Sequence, residues 1–298
     1  MKEKIQNIIE LNGYNFQCLK VSYTDYTLTV ILDRPEVYNA LNMQFINELL
    51  IVADFLELHE KNQREYYRIK NLKDFELSGI PFIEDFEEIR CIIFKSSGKN
   101  FCSGADLNWL KEGLVKTYDE NFDDSYKLVL LLEKLYHLTI PIISVVNGFA
   151  VGGGVGILLT SDVVFATPNS KFGISEVTIG VIPVAIIKYL KLKFRDSDYR
   201  PYLLSGERFG VETAKQIGIV NFIEVETEIE SKVEEFRKKI INNGPIAVQK
   251  VKEIVNFVDK LDQKSYLNIS ADIIAKLRQG NESINGIQSF LDKRKPKF

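Results

Sequence analysis

Three times in this chain a short apolar run gives way to a loop of small residues and then to a helical pattern. CIIFKSS, Cys91 to Ser97, enters a loop from Gly98 to Asp106 that ends in SGAD. IPIISVVNG delivers the chain to Gly152-Gly153-Gly154 and on through GGGVG, and VVFATPNSKFGISE supplies a third strand and a turn around Ser170. Brief apolar runs bounded by turn residues read as strands covered on both faces. Their repetition with helices predicts an α/β core that carries its functional loops at the strand ends.

Upstream, LKVSYT and YTLTVIL between Leu19 and Leu32 flank a short polar break, as a hairpin does. RPEVYNALN then turns the chain at Pro35 into a helix, with apolar residues at helical spacing at Phe45, Ile46, Leu49, Leu50 and Ala53. Residues 61–88 are rich in charge and aromatics without a clean period, which reads as an insertion before the next strand. From Gly244 onward the pattern is helical again, through Val248, Val251, Ile254, Val255 and Val258 and then Ile269, Ile273, Ile274 and Leu277. The expected division is an extension over 1–18, a core over 19–223 and a C-terminal helical region over 224–298.

Composition narrows the function classes. The 298 residues are 45% hydrophobic and 27% charged, enough apolar content for a sizeable core. Net charge is -3 with Lys and Arg scattered, so neither nucleic acid nor an anionic membrane is the expected partner, and a small ligand is. Cys18, Cys91 and Cys102 lack CxxC spacing and a nearby His, so they read as small core residues of a reducing, cytoplasmic compartment. The opening MKEKIQNIIELNGYNF has no apolar secretory core. The uncharged stretch between Lys134 and Asp162 contains Pro141, Asn147 and five glycines, which suits strand, loop and buried helix better than a membrane span. His59 and His137 have no acidic or Cys partners at metal-site spacing and read as structural, so no metal is expected. Asp162 reads as a buried structural acid.

The loops Ser103 to Asp106 and Gly152 to Gly156 each place small residues where a helix begins. Small residues let a ligand reach the backbone, and the first amides of a helix have no intrahelical acceptor. Both loops are therefore suited to an anion, although glycines there also serve close packing alone. No G-x-G-x-x-G can be completed across Gly148 to Gly156, because Ile157 and Leu159 fall where glycine is needed. Asp106 suits either a substrate contact or a helix cap, and Trp109 either a ligand border or packing.

Six segments in order, DRPEVYNALN, KNFCSGADLNW, IPIISVVNGFAVGGGVG, FGISEVTIGVIP, LLSGERF with AKQIGIVN, and GIQSFLDKRKPKF, resemble the enoyl-CoA hydratase/isomerase (crotonase) family. The resemblance implies a spiral of repeated ββα units topped by C-terminal helices, assembled as a homotrimer or homohexamer. It implies acyl-CoA thioester substrates, with coenzyme A as part of the substrate and no separate cofactor. An oxyanion hole would fall on the amides of Ala105 and Gly153 and stabilise a thioester enolate. Val37, Ser103, Asp106, Leu107 and Gly152 would contact substrate, with Phe290 and Lys293 approaching coenzyme A from a neighbouring subunit. Glu176 matches a catalytic Glu of family hydratases, and apolar neighbours would raise its pKa toward neutrality.

Two departures accompany the match. Gly156 occupies the position where many two-glutamate hydratases carry their other acid, and Val184-Ala185-Ile186-Ile187 replaces a glycine-rich run. The motifs SGADLNW, SEVTIGVIP and SGERF look most like the branch with methylglutaconyl-CoA hydratases of leucine breakdown. The leading expectation is a lyase adding or removing water across an enoyl-CoA double bond, with Glu176 as acid or base. A single-carboxylate double-bond isomerase is its nearest rival. A decarboxylase, a thioester hydrolase and a binding protein that has lost turnover are the further readings.

Overall fold

A computed structural model describes residues 7–70 and 86–298. Strands β1 (Leu19–Thr24) and β2 (Thr27–Leu32) form the expected antiparallel hairpin, from Leu19 opposite Leu32 to Thr24 opposite Thr27. β3 (Cys91–Ser96), β4 (Ile142–Val146), β5 (Phe149–Val151), β6 (Val163–Ala166), β7 (Lys171–Gly173), β8 (Arg208–Gly210) and β9 (Phe222–Ile223) follow. They build a six-stranded sheet in the order β1-β2-β3-β4-β6-β9 and a small sheet in the order β5-β7-β8. From β2 to β9 the large sheet is parallel.

The chain spirals between the two sheets. β4 belongs to the large sheet, β5 to the small one, and α5 (Gly153–Thr160) closes that turn. The next turn repeats the pattern with β6, β7 and, beyond a short 3-10 turn, α6 (Val184–Lys193) and α7 (Asp196–Ser205). An earlier, reduced turn runs from β3 through a single bridge between Cys102 and Ala150 into α3 (Leu107–Gly113) and α4 (Tyr118–His137). This is the expected α/β spiral of ββα units.

The strands read as continuous apolar runs because both faces are covered. Ile92, Phe94, Ile142, Val146 and Val164 face a core shared with α2 (Met43–Lys70), α4 and α5. The intervening Cys91, Ile93, Ile143, Val145 and Phe165 pack on Ile229, Val233 and Ile241 of α9 (Ile229–Ile241), reached through α8 (Val211–Gln216) and β9. The region beginning at 224 is therefore partly core: α9 covers the back of the sheet. Only α10 (Pro245–Val255), α11 (Gln263–Gln279) and α12 (Asn281–Leu291) form the separate helical layer.

Two other boundaries and the burial of one residue differ from expectation. The N-terminal extension carries α1 (Ile8–Gly13), whose Ile8 and Leu11 are buried in the main core. The insertion expected to begin at Lys61 begins later, because α2 continues to Lys70. Its inward stripe there is polar but satisfied: Glu60 accepts from the Thr139 and Ile140 amides, and Gln63 bonds both backbone groups of Ile89. The rest of that insertion, 71–85, lies outside the described residues. Asp162 is largely exposed rather than buried, although its carboxylate accepts from the Ile142 amide and from Lys252.

Asn39 joins the first helical turn to the next strand loop. It is fully buried and left-handed at φ 55°. Its Oδ1 accepts from the Arg34 amide at 2.7 Å, and its Nδ2 donates to the carbonyls of Ser97 and Asn100 at 2.9 and 2.8 Å. Asn39→Ala leaves three buried backbone groups without partners and keeps the strained φ, so we expect a loss of about 2–4 kcal/mol. Urea unfolding checks this, and a change below about 1 kcal/mol is incompatible with the account.

Candidate active site

The first element of the site follows from how parallel strands bond. Leu41 makes an isolated parallel bridge to Ala105, its amide donating to the Gly104 carbonyl at 2.7 Å and its carbonyl accepting from the Asp106 amide at 2.8 Å. When one residue of such a bridge bonds both flanking peptides opposite, the facing residue turns its own N–H away. Ala105 is that residue; its N–H finds no acceptor among the described residues and borders a cleft.

The second element is the turn from β5 into α5. The Gly152 amide still donates to Gly173 at 2.9 Å, and then the backbone reverses at φ 53°, ψ -120°, a conformation that favours glycine. Gly153 becomes the first residue of α5, with its N–H among the free donors of a helix start. It lines the same cleft as Ala105.

The third element is Glu176, at the start of the 3-10 turn Glu176–Ile179. Its Oε1 lies 2.9 Å from where a Cβ on Gly152 would be, so a side chain there would collide with the carboxyl. Oε2 is buried and has no hydrogen-bond partner among the described residues. Burial raises the Glu176 pKa, only partly offset by its own backbone amide. A buried, unpaired carboxyl beside two free amides is suited to moving a proton while the amides stabilise an oxyanion.

The cleft, about 450 Å³, continues between α3, α4 and the segment from Ser175 to Ile186. α4 is held at its start by a capping box between Thr117 and Glu120. One helical face, Asn121, Asp124, Ser125, Leu128 and Leu132, begins polar in the cleft and ends apolar in the core. Asp124 accepts from Trp109 Nε1 at 3.1 Å and from Lys116 Nζ at 2.5 Å. Burial works to raise the Asp124 pKa, but those two donors outweigh it and hold the carboxyl below its ordinary range. Among the described residues no Lys or Arg lines the cleft.

Gly156, on α5, faces α4 and α6. A Cβ there would stand 2.9 Å from Ile186 Cγ2 and 3.0 Å from Leu132 Cδ1. The site of the missing second acid is therefore filled by apolar side chains.

The expected site residues divide. Ala105, Gly153, Glu176, Ser103 and Gly152 converge on one cleft, and Trp109 borders it. Val37 sits in the 3-10 turn Pro35–Val37, one residue before Tyr38, whose carbonyl accepts from the Ser103 amide at 3.1 Å. Asp106 does not line this cleft with its side chain, which is buried, caps α3 through the Asn108 amide at 2.9 Å and meets Arg34 at 3.1 Å. Leu107, just beyond, is exposed and outside the cleft lining. Phe290 is 81% exposed on α12, and Lys293 follows that helix; neither lines the cleft of its own chain.

The other candidates stay structural. Burial pushes the thiol of Cys18 to about 11 and those of Cys91 and Cys102 to about 12, which leaves them unreactive. His59 is buried, with its ring held by Gln63 at 3.0 Å and its pKa lowered by burial to about 4; His137 pairs with Glu133 at 2.9 Å. Among the described residues, no group of three or more His, Cys, Asp or Glu is placed to hold a metal, and no helix is long and apolar enough to cross a membrane. The polar start of the α4 stripe bears no motif. Its only signal is Asn121, Asp124 and Ser125 standing on the face that Leu128 and Leu132 place inward.

Comparison with known proteins agrees with this architecture. A family model described as enoyl-CoA hydratase/isomerase matches residues 80–298. A short-chain-enoyl-CoA hydratase of Clostridium acetobutylicum is 25% identical over 272 residues, covering 89% of this chain and 91% of its own length. The enoyl-CoA hydratase EchA19 of Mycobacterium tuberculosis is 27% identical over 281 residues, covering 92% and 93%. The crystal structure of an enoyl-CoA hydratase from Shewanella pealeana superposes with a TM-score of 0.80 at 25% identity, over 97% of this chain and 98% of that one.

The raised Glu176 carboxyl has a stability signature. Below the pKa of the unfolded chain the group is protonated in both states and costs nothing. As pH rises, the unfolded chain ionises first, and stability falls until the folded carboxyl has also ionised. Glu176→Gln should therefore melt above the parent at neutral pH, by roughly 1–3 °C, with the gap closing toward about pH 4. Differential scanning calorimetry across that range tests it, and a variant less stable than the parent at neutral pH would refute it.

Proposed function

The chain belongs to the enoyl-CoA hydratase/isomerase family, and from that premise we propose that it adds water to, or removes it from, the α,β double bond of an acyl-CoA thioester. The observation that carries this reading is the unpaired Oε2 of Glu176, buried beside the Gly152–Gly153 turn. The Ala105 and Gly153 amides accept the thioester oxygen as negative charge develops on it, stabilising the enolate. In hydration Glu176 takes a proton from water as the hydroxyl bonds the β carbon, and the protonated Glu176 then gives that proton to the α carbon of the enolate, regenerating the carboxylate. Ser103 and the backbone near Val37 guide the thioester toward those amides. Relatives named as enoyl-CoA hydratases support this direction.

A second reading is favoured by Gly156. With Ile186 and Leu132 occupying the space beside it, one carboxyl does all the proton work. Such a carboxyl can carry a proton between the α and γ carbons, shifting the double bond with no water consumed. The reading as a methylglutaconyl-CoA hydratase concerns the acyl group alone and is separate from this choice.

Turnover of unsaturated acyl-CoAs in heavy-oxygen water, followed by mass spectrometry, decides between the two. Hydration gains a labelled oxygen; isomerisation moves the double bond without it. Glu176→Gln should lower either activity by roughly a hundredfold to ten-thousandfold. Gly156→Glu alone should clash with Ile186, whereas Gly156→Glu with Ile186→Ala makes room and should raise the labelled share. An unimpaired Glu176→Gln enzyme would remove the catalytic role, and binding without turnover by the parent would leave an acyl-CoA binding protein.

Assembly into trimers or hexamers belongs to the same reading. α11 buries none of its residues within the protomer, and it leaves Leu267 and Ile274 exposed, as α12 leaves Ile287 and Phe290. Exposed apolar helix faces of this extent favour a subunit interface. Light scattering should give a multiple of three of the 34.2 kDa protomer, and a monomer at micromolar concentration would contradict the assembly.

A further inference from the structure

The wall of the cleft opposite the reacting amides is built from hydrogen-bond acceptors. Asn121 donates from Nδ2 to the carbonyls of Gly113 and Lys116 at 3.0 and 3.4 Å, which leaves Oδ1 as its acceptor. Asp124 Oδ2 is taken by Trp109 and Lys116, while Oδ1 accepts nothing among the described residues. Ser125 adds a hydroxyl with no partner among those residues. Lys116 does not line the cleft, so the Asp124–Lys116 pair turns its negative end toward a ligand.

Position along α4 ties this wall to the chemistry. Leu128 Cδ1 lies 4.0 Å from a Cβ built on Gly153, so Leu128 stands beside the amide that receives the thioester. Asp124 is four residues earlier, about 6 Å along the axis, and Asn121 about 4.5 Å beyond it. A group meeting Asp124 therefore lies past the α and β carbons, on the distal part of the acyl chain. Elsewhere that part of the cleft is apolar, lined by Leu110, Val129, Ile182 and Ile186.

We propose that Asp124 is a specificity-determining residue: the cleft selects acyl-CoA thioesters whose acyl group is uncharged and carries a distal hydrogen-bond donor such as a hydroxyl, and it rejects acyl groups that end in a carboxylate. This rests on the acyl-CoA reading above and deepens it. A hydroxyl satisfies Asp124 Oδ1 or Asn121 Oδ1 inside an otherwise apolar cleft. A carboxylate meets the fixed negative charge of Asp124, with neutral hydroxyls such as that of Ser125 as donors and, among the described residues of the lining, no Lys or Arg to balance it. A methylglutaconyl group, which ends in a carboxylate, falls in the rejected class.

Trp109 is the only tryptophan of the chain, and it borders the cleft while bonding Asp124, so its fluorescence reports occupancy. Three saturated five-carbon probes separate the possibilities: pentanoyl-CoA, 5-hydroxypentanoyl-CoA and glutaryl-CoA, titrated against the full chain. We expect glutaryl-CoA to bind at least tenfold more weakly than 5-hydroxypentanoyl-CoA. Asp124→Asn should shrink that ratio to less than threefold, and Lys116→Met, which strips Asp124 of its counter-charge, should widen it. Because the readout is a ratio within one variant, a general loss of fold or affinity does not imitate it. Pentanoyl-CoA binding with a ratio near one, or a ratio that neither variant moves, overturns the specificity role while the acyl-CoA reading stands. Failure of all three thioesters to bind overturns both.

Discussion

A parallel strand pairing uses alternate residues, and the site depends on which residue is left over. At the bridge between Leu41 and Ala105, Leu41 spends both backbone groups on the peptides flanking Ala105, so the Ala105 amide faces the cleft without a partner. Everything that fixes this register also fixes the amide. Asn39 ties the Arg34 turn to the Ser97 and Asn100 carbonyls, and Asp106 locks the far side by capping α3 and pairing with Arg34. The Asp106 side chain thus holds in place the backbone that borders the cleft.

The two departures from the family pattern form one physical change. Gly156 lets α5 approach α4 and α6, and Ile186 with Leu132 occupies the space gained. A side chain at 156 would require Ile186 to retreat, since its Cγ2 is fixed by a branched, stiff side chain. Conversely, a glycine-rich run in place of Val184-Ala185-Ile186-Ile187 would leave a hole beside Gly156, costly in a packed interior. An apolar patch here therefore excludes the second acid in two ways, by volume and by leaving it nothing to pair with.

Legibility in the sequence followed the physical simplicity of each element. β3 and β4 were readable because both faces are buried over Cys91 to Phe94 and Ile142 to Val146, and nearly all of those residues are apolar for that one reason. The glycine loops were readable because only small residues fit an amide that must meet a ligand. The second half of α2 was not, since its inward face holds His59, Glu60 and Gln63: Glu60 and Gln63 are satisfied by backbone groups distant in sequence, and His59 by the Gln63 side chain. Asp162 was misjudged for a related reason: its partners Ile142 and Lys252 lie far along the chain and hold it at the surface. The polar start of the α4 stripe escaped notice because a cleft lining and a core lining share one periodicity and differ only in what lies opposite.

The cleft contains two carboxyls that share a burial and differ in their donors. Desolvation acts in the same direction on both, toward a raised pKa. Asp124 has Lys116 and the Trp109 indole to oppose it and stays ionised; Glu176 has only its own backbone amide and does not resist. Groups whose environments push them apart in this way divide the labour of a site. Burial favours the protonated form of Glu176 and suits it to exchanging a proton, whereas Asp124 is a fixed charge held by its donors. The cleft makes one carboxyl a base and the other a filter, and what holds the second ionised is the Lys116 ammonium together with the Trp109 N–H.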